Sequence, residues 1–279
     1  MFVDVKTAMH ALRDHSVKVI HVEMVNPVSG ATTTTPRGFI PGAVTIDLDK
    51  EGSDHSFAAP HRRLTTTAFA ALLGKLGITS KDTVYVYDNF GIFCAPRLWF
   101  MLKMLGHQNA FVIDGGLPAY IGEGHTVEDT NANDQCEPTV YESAPAPELT
   151  LFVDADEVVT AINKQQQILD ARAAGRFLGR VKEPRAGVRS GHMPGAINLP
   201  YTNLLENGRL ADSSVLKQVF DEAGVDLSQT IITSCGSGIT ACVIGMAALQ
   251  LGAQNVKIYD GSWTEWGSNL EYPVEVESA

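Results

Sequence analysis

The sequence predicts an α/β protein built from two copies of one domain, each a parallel β-sheet with helices on both faces. Three observations lead to this prediction. Short β-branched runs alternate with longer apolar segments, the alternation occurs in both halves of the 279-residue chain, and matching motifs recur in the same order. Alternating strands and helices favour parallel sheets covered on both faces. In such sheets, ligands bind beyond the carboxyl ends of the strands.

The second half shows the alternation most clearly. Its predicted strands are QQILDA (166–171), AINLP (196–200), IITSC (231–235) and VKIYD (256–260). The segments between them are long enough to form crossover helices. The apolar stretch 241–251 stops at Gly252 and predicts a buried helix. Cys235 therefore lies where a strand ends and a short loop leads into a helix.

Three pairs of motifs relate the two halves at a spacing of roughly 150 residues, which indicates an internal repeat. GFIPGAVTIDL (38–48) matches GHMPGAINLP (191–200), TVYVYD (83–88) matches TIITSC (230–235), and LGHQNAFVIDGGL (105–117) matches LGAQNVKIYDGSW (251–263). Polar residues with several prolines lie between the halves and are typical of a linker. We expect a first domain at 1–125, a linker at 126–150 and a second domain at 151–279.

The repeat also separates the two copies chemically. Where the second copy has Cys235, the first has Asp88. Unpaired N–H groups at a helix start carry partial positive charge, so a thiol held there ionises more easily, and the thiolate is the nucleophile. We therefore predict one active centre, at Cys235, and an inactive first copy.

Composition excludes several classes of function. The net charge of −11 argues against binding to nucleic acid. The four cysteines are irregularly spaced with no CxxC pair, so neither a disulfide framework nor a zinc site is predicted. The first residues lack the apolar core of a secretory signal, and no stretch is apolar enough to span a membrane. These features favour the cytoplasm and no membrane partner.

Motifs across nearly the whole chain resemble the rhodanese-type sulfurtransferases, and among them the tandem-domain 3-mercaptopyruvate group. They are IPGAVTIDLD (40–49), SDHSFAAPH (53–61), CAPRLWF (94–100), DAR (170–172), EPRAGVRSGHMPGAINLP (183–200), CGSGITAC (235–242) and YDGSWTEWG (259–267). The mercaptopyruvate group carries CG(S/T)GVTA in its catalytic loop, and this chain has Ile239 in place of Val. Members that use thiosulfate typically carry basic residues just after the cysteine, and this loop has none.

The resemblance implies a reaction and its groups. Sulfur would pass from 3-mercaptopyruvate through a Cys235 persulfide to a thiol or cyanide acceptor, with release of pyruvate; reduced thioredoxin is one candidate acceptor. Arg176 and Arg185 match the substrate-binding arginines of the family, although loop arginines also serve solubility. The loop backbone would line the pocket, and its residues are Gly236, Gly238, Ile239, Thr240 and Ala241. The resemblance implies neither a metal nor an organic cofactor.

A proton relay has been proposed in the family, and its positions match Ser237, His61 and Asp49 of this chain. Both His61 and Asp49 fall in the first copy of the sequence. Ser237 is equally compatible with a loop residue that hydrogen-bonds its own backbone. The sequence leaves these two interpretations of Ser237 open.

Three other functions compete with this interpretation. A thiosulfate:cyanide sulfurtransferase would use the same fold and the same persulfide. A rhodanese-fold phosphatase needs an arginine at the end of its loop to stabilise the phosphoryl oxygens, and this chain has Ala241 there. A non-enzymatic sulfur carrier or interaction module would not need the nucleophile together with both arginines.

Overall fold

The described residues form two compact units in the computed structural model, which describes residues 1–13, 17–25, 38–143 and 151–277. The first unit comprises the described residues of Met1–Asp54, Arg63–Leu149 and Glu206–Leu210. The second unit comprises those of His55–Arg62, Thr150–Leu205 and Ala211–Ala279. Neither unit is one continuous stretch of the chain.

The first unit contains a parallel sheet with helices around it. Its strands are β1 (Phe2–Val3), β2 (Lys18–Glu23), β3 (Val44–Asp47), β4 (Val84–Tyr87) and β5 (Ala110–Ile113). They pair in parallel in the order β1-β5-β4-β2-β3. Its helices are α1 (Val5–Arg13), α2 (Thr66–Lys75), α3 (Ala95–Met104) and α4 (Gly116–Gly122). The central strand β4 is fully buried, as its sequence VYVY favours.

The second unit repeats this arrangement. Its sheet is formed by β6 (Phe152–Val153), β7 (Gln167–Asp170), β8 (Ile197–Asn198), β11 (Ile231–Ser234) and β12 (Val256–Tyr259). The parallel order β6-β12-β11-β7-β8 is the order of the first unit. Its helices are α5 (Ala155–Asn163), α6 (Ala174–Phe177), α7 (Ser213–Glu222), α8 (Ala241–Gln250) and α9 (Ser262–Ser268). A hairpin of β9 (Leu205–Glu206) and β10 (Arg209–Leu210) interrupts it. The predicted fold class is confirmed.

The core of the second unit fixes the ends of its central strand. Helix α8 is apolar on nearly every side and packs against β11 and β12. Trp263 and Trp266 of α9 are fully buried and join the apolar cluster that contains Ile232 and Tyr259. The loop between β11 and α8 is therefore held on both sides by packed elements.

Part of the predicted linker packs against the first unit. The N–H of Thr139 donates to the carbonyl of Gly74 at 2.8 Å, and the Tyr141 hydroxyl lies 2.8 Å from Nδ1 of His107. Residues 144–150 lie outside the described part of the chain, and the linker and domain boundaries stay predictions. Among the described residues, no helix is long and apolar enough to cross a membrane.

His21 of β2 is a buried titratable group in the first unit. Its Nδ1 lies 3.3 Å from Oγ1 of Thr45, and its ring packs against Phe39 and Tyr87, each with centroids 5.2 Å away. Burial lowers the pKa of His21 to about 4, from an ordinary value of 6.5. The sheet therefore holds this imidazole neutral at physiological pH.

We expect the stability of the first unit to fall as the pH falls from about 6.5 to about 4. In this window the unfolded chain binds a proton that the folded unit excludes, and the loss is on the order of 3 kcal/mol for this group. Denaturant unfolding at a series of pH values measures it, with His21→Gln as the non-titrating control. An identical pH dependence in both proteins would contradict this assignment.

Candidate active site

Cys235 follows the last residue of β11 directly and is held by its own backbone. Its side chain is buried, with the residue 2% exposed. The N–H of Cys235 donates to Oγ of Ser262 at 3.1 Å, and its carbonyl accepts the N–H of Trp263 at 2.9 Å. Both polar groups of this backbone unit are thus tied to the start of α9, which fixes the direction in which the thiol leaves the strand.

The loop after Cys235 turns inward before α8 begins at Ala241. Gly238 has a φ of 78°, a left-handed conformation that glycine adopts without strain. The carbonyl of Gly236 accepts both the N–H of Thr264, at 2.9 Å, and its hydroxyl, at 2.6 Å. Ile239 and Ala241 are buried. The loop is therefore a packed structure that presents backbone amides at a helix N-terminus.

The equivalent loop in the first unit already holds an anion. The carboxylate of Asp88, which corresponds to Cys235, accepts the N–H groups of Phe90, Phe93, Cys94 and Ala95 at 2.8 to 2.9 Å. Asp88 is fully buried. In the first unit, several amides are thus directed at the side chain that follows the central strand. With Asp88 placed on Cys235, the corresponding amides include those of Ser237, Thr240 and Ala241.

Ser262 has a strained backbone that the first unit explains. Its φ is 49°, a value that non-glycine residues rarely adopt. The corresponding residue of the first unit is Gly116, with a φ of 51°. The Ser262 hydroxyl donates to the carbonyl of Tyr259 at 2.8 Å while it accepts the Cys235 amide. The second unit therefore keeps a side chain, at some cost in strain, at the position where it can hold the backbone of Cys235.

The structure brings Ser237 and His61 together. Nδ1 of His61 lies 2.8 Å from Oγ of Ser237, and both side chains are buried. His61 also has a positive φ, of 59°. Its segment, His55–Arg62, clusters with the second unit although the sequence division assigned it to the first copy.

Arg62 anchors this segment. Its Nε lies 3.2 Å from Asp260, and its Nη1 lies 3.2 Å from each oxygen of the Glu265 carboxylate. The guanidinium also stacks over the ring of Phe57, at 4.7 Å from the centroid. Ion pairs at a half-buried site with several partners hold a backbone more firmly than one exposed pair. Arg62 therefore positions its neighbour, His61.

Asp49 belongs to the first unit. Its carboxylate accepts the N–H of Val25 at 2.6 Å, and its own N–H donates to Asp47 at 2.8 Å. The predicted role of Asp49 in a proton relay stays a prediction.

Arg176 lies beside the loop that follows Cys235 and is bound by Glu183. Both Nε and Nη2 of Arg176 donate to the Glu183 carboxylate. A Cβ atom at Gly236 would stand 3.2 Å from Nη2 of Arg176, so the glycine leaves room for the guanidinium next to Cys235. The remaining predicted arginine, Arg185, donates from Nη1 to the hydroxyl of Thr264 at 3.4 Å. Both arginines therefore contact the surroundings of Gly236.

Arg172 connects Glu183 to the sheet. It binds Asp170 through Nε and Nη2, at 2.6 to 3.0 Å, and Glu183 through Nη1 at 2.9 Å. It also donates to the carbonyl of Gly191 and stacks over Trp263. Burial opposes the charge of Arg172, whereas Asp170 and Glu183 raise its pKa above the usual value. The result is a chain of alternating charges that ends at Arg176.

Several residues around this site were not among the predicted ones: Arg62, Arg172, Glu183, Ser262 and Thr264. The internal repeat carried a signal for Ser262, because a serine replaces Gly116 within an otherwise similar motif. The sequence carried no such signal for Glu183, since a carboxylate beside several arginines in a loop looks like an exposed ion pair.

Comparison with known proteins identifies the family. Residues 33–123 and 154–269 each match the rhodanese-like domain. The chain belongs to the rhodanese family. The two matched stretches confirm the tandem organisation that the motifs predicted.

Several rhodanese-family relatives resemble the whole chain. The 3-mercaptopyruvate sulfurtransferase of Escherichia coli K12 is 36% identical over 265 residues, which cover 94% of this chain and 93% of the relative. The mitochondrial thiosulfate/3-mercaptopyruvate sulfurtransferase 1 of Arabidopsis thaliana is 36% identical over 302 residues, covering 97% and 77%.

Solved structures agree with this likeness. The crystal structure of SseA from Escherichia coli, described with 3-mercaptopyruvate sulfotransferases, has a TM-score of 0.80 at 32% identity and covers 94% of this chain and 98% of its own. The crystal structure of Tum1 from Saccharomyces cerevisiae has a TM-score of 0.87 at 27% identity, covering 99% and 98%.

Replacing Ser262 by glycine should lower turnover while it destabilises the protein less than alanine does at the same position. The variant loses the hydroxyl that holds the Cys235 amide but relieves a left-handed strain of about 1 kcal/mol. Ser262→Ala loses the same hydroxyl and keeps the strain, so it should lose turnover and also unfold at a lower temperature. Steady-state kinetics and thermal unfolding of both variants test this. Full turnover in Ser262→Gly would show that the hydroxyl does not brace the nucleophile.

Proposed function

We propose that this rhodanese-family protein is a sulfurtransferase that takes sulfur from 3-mercaptopyruvate through a persulfide on Cys235, in the second copy of the domain. The Cys235 thiolate attacks the donor sulfur, and an S–S bond forms as the C–S bond breaks. The electron pair of that bond leaves as the enolate of pyruvate, which takes a proton at carbon. An acceptor thiolate then attacks the outer sulfur and regenerates the Cys235 thiolate.

The anion held in the first unit is the observation that most supports this chemistry. The carboxylate of Asp88 accepts hydrogen bonds from four backbone amides. Cys235 directly follows the equivalent strand of the second unit. Amides arranged for a buried carboxylate are suited to a thiolate or to a persulfide anion. We infer that the amides of Ser237, Thr240 and Ala241 stabilise the sulfur in both forms, and that Gly236, Gly238 and Ile239 shape the loop around it.

Arg176 and Arg185 are the groups that we assign to the donor carboxylate. Both flank Gly236, and a guanidinium can bind a carboxylate through two parallel hydrogen bonds. The loop itself carries no cation, so its own amides are the charge stabilisers nearest to the sulfur. This arrangement suits a donor whose negative group lies apart from its reacting sulfur, as in 3-mercaptopyruvate.

We assign proton transfer to Ser237 and His61, with Asp49 as the third member of the proposed relay. The 2.8 Å separation of Ser237 and His61 supports the first link. A hydroxyl and an imidazole in contact can deliver a proton to the leaving enolate or remove one from the donor thiol.

Thiosulfate is the second candidate donor. The Arabidopsis thaliana relative carries both thiosulfate and 3-mercaptopyruvate in its name. For the acceptor we propose a small thiol or a reduced thioredoxin, with cyanide as an artificial acceptor.

The cytoplasm is the compartment that we propose, because all four cysteines are free. No step in this scheme uses a metal or an organic cofactor.

The Cys235→Ser variant should lose pyruvate release by at least about a thousandfold, because the hydroxyl is a poor replacement for the thiolate. Wild type incubated with 3-mercaptopyruvate and no acceptor should gain the mass of one sulfur atom, and Cys235→Ser should not. Cys136→Ser is the matched control and should behave as wild type. Retained turnover in Cys235→Ser would exclude it as the nucleophile, and a higher kcat/KM for thiosulfate would exclude 3-mercaptopyruvate as the preferred donor.

His61→Asn should lower kcat by at least about tenfold and change the shape of its pH profile, because a general acid–base group is lost. Asparagine tolerates the left-handed backbone of residue 61, so the substitution tests the ring and not the turn. The same change at the exposed His55, in the same segment, is the control. An unchanged kcat and pH profile in His61→Asn would remove His61 from the proton transfers.

A further inference from the structure

We propose that Glu183 sets the charge of the donor pocket and thereby selects a singly charged sulfur donor over a doubly charged one. The inference rests on the proposed function, because it concerns the place beside Cys235 where we assign Arg176 and Arg185 to the donor carboxylate. It assigns to a carboxylate, which binds no donor itself, the choice between 3-mercaptopyruvate and thiosulfate. Glu183 is in this sense a specificity-determining residue that acts through Arg176.

The position of Glu183 is unusual for a carboxylate in a loop. Its side chain is only 4% exposed. One oxygen accepts from Arg172 at 2.9 Å and from Nε of Arg176 at 3.2 Å, and the other accepts from Nη2 of Arg176. Acidic side chains are almost never so fully buried unless they are paired. Glu183 is paired twice, so its charge is a fixed part of the wall beside the loop that follows Cys235. By the wall we mean the ion-paired side chains of Asp170, Arg172, Glu183 and Arg176.

The charges of this wall cancel in pairs. Arg172 already has a carboxylate partner in Asp170, to which it donates three side-chain hydrogen bonds. The carboxylate of Glu183 is therefore an additional negative charge, and it offsets the positive charge of Arg176. With Glu183 present, the wall that reaches Gly236 carries one positive charge less than it would carry without it.

Glu183 also fixes the orientation of Arg176. Arg172 is held by Asp170, by the carbonyl of Gly191 and by the ring of Trp263. Glu183 transmits this rigidity to Nε and Nη2 of Arg176. Because the guanidinium is planar and has five N–H donors, the N–H groups of its opposite side keep a fixed direction for a donor carboxylate.

A neutral residue at position 183 changes the balance between donors. A dianion such as thiosulfate gains from each added positive charge about twice as much as a monoanion does, by Coulomb's law. In thiosulfate, moreover, the negative charge lies on the same small group as the sulfur that reacts with Cys235. The carboxylate of Glu183 thus disfavours the dianion more than it disfavours 3-mercaptopyruvate.

The first test measures charge without turnover. Iodoacetate and iodoacetamide alkylate Cys235 by the same step, in which the thiolate forms an S–C bond and iodide leaves, but only iodoacetate is an anion. In Glu183→Gln and Glu183→Ala, the ratio of the iodoacetate rate to the iodoacetamide rate should rise roughly threefold to tenfold. Two neutral variants of different size are used so that one remains available if the other fails to fold, as thermal unfolding shows.

Two control variants separate charge from structure. Glu183→Asp keeps the charge and should change the alkylation ratio by less than about twofold. Glu277→Gln removes a carboxylate that is also paired with an arginine, Arg180, but at 51% side-chain exposure, where solvent screens it. This variant should leave the ratio unchanged. A rise in the ratio for Glu277→Gln as large as that for Glu183→Gln would overturn the assignment to Glu183.

The second test compares kcat/KM for the two donors. In the neutral variants, the ratio of thiosulfate to 3-mercaptopyruvate should rise severalfold over wild type, in parallel with the alkylation ratio. If the folded neutral variants keep the wild-type values of both the alkylation ratio and the kcat/KM ratio of the two donors, the role that we propose for Glu183 is wrong, while the proposed function stands. If wild type does not use 3-mercaptopyruvate and the alkylation ratio still rises, the proposed function is wrong while the charge role of Glu183 stands.

Discussion

Both units depend on the short loop that leads from the central strand into the next helix. A loop that turns inward between a buried strand and a helix leaves N–H groups that need an acceptor, because buried donors without a partner are costly. The first unit meets this need with the carboxylate of Asp88. The second unit has the thiol of Cys235 at the same place, and for its loop amides we propose a sulfur anion as the acceptor.

Most other features of the second unit serve to hold that loop. Ser262 and Thr264 tie the backbone of Cys235 and Gly236 to α9. On another side, the alternating charges of Asp170, Arg172 and Glu183 lead to Arg176, which lies over Gly236. Rigid neighbours of this kind let a site keep its geometry before the donor binds.

The sequence predicted the parts of the site that depend on local pattern. Strands, the position of Cys235 and its replacement by Asp88 all follow from short motifs and from the repeat. The contact between His61 and Ser237 spans 176 positions and could be expected only from family resemblance. Glu183 and Ser262 were missed because their roles arise from tertiary contacts, and the left-handed backbone of Ser262 has no signature in a single chain apart from its glycine counterpart, Gly116.

The anchoring by Arg62 has a consequence for how the protein can be divided. The ion pairs of Arg62 with Asp260 and Glu265, and the contact of His61 with Ser237, lie within the second unit. A fragment containing only residues after 150 would retain Cys235, Arg176 and Arg185. It would leave Asp260 and Glu265 without this cation and Ser237 without its imidazole. The unit that contains Cys235 is therefore not one uninterrupted segment, and cutting the chain at the repeat boundary would separate His61 and Arg62 from their partners in that unit.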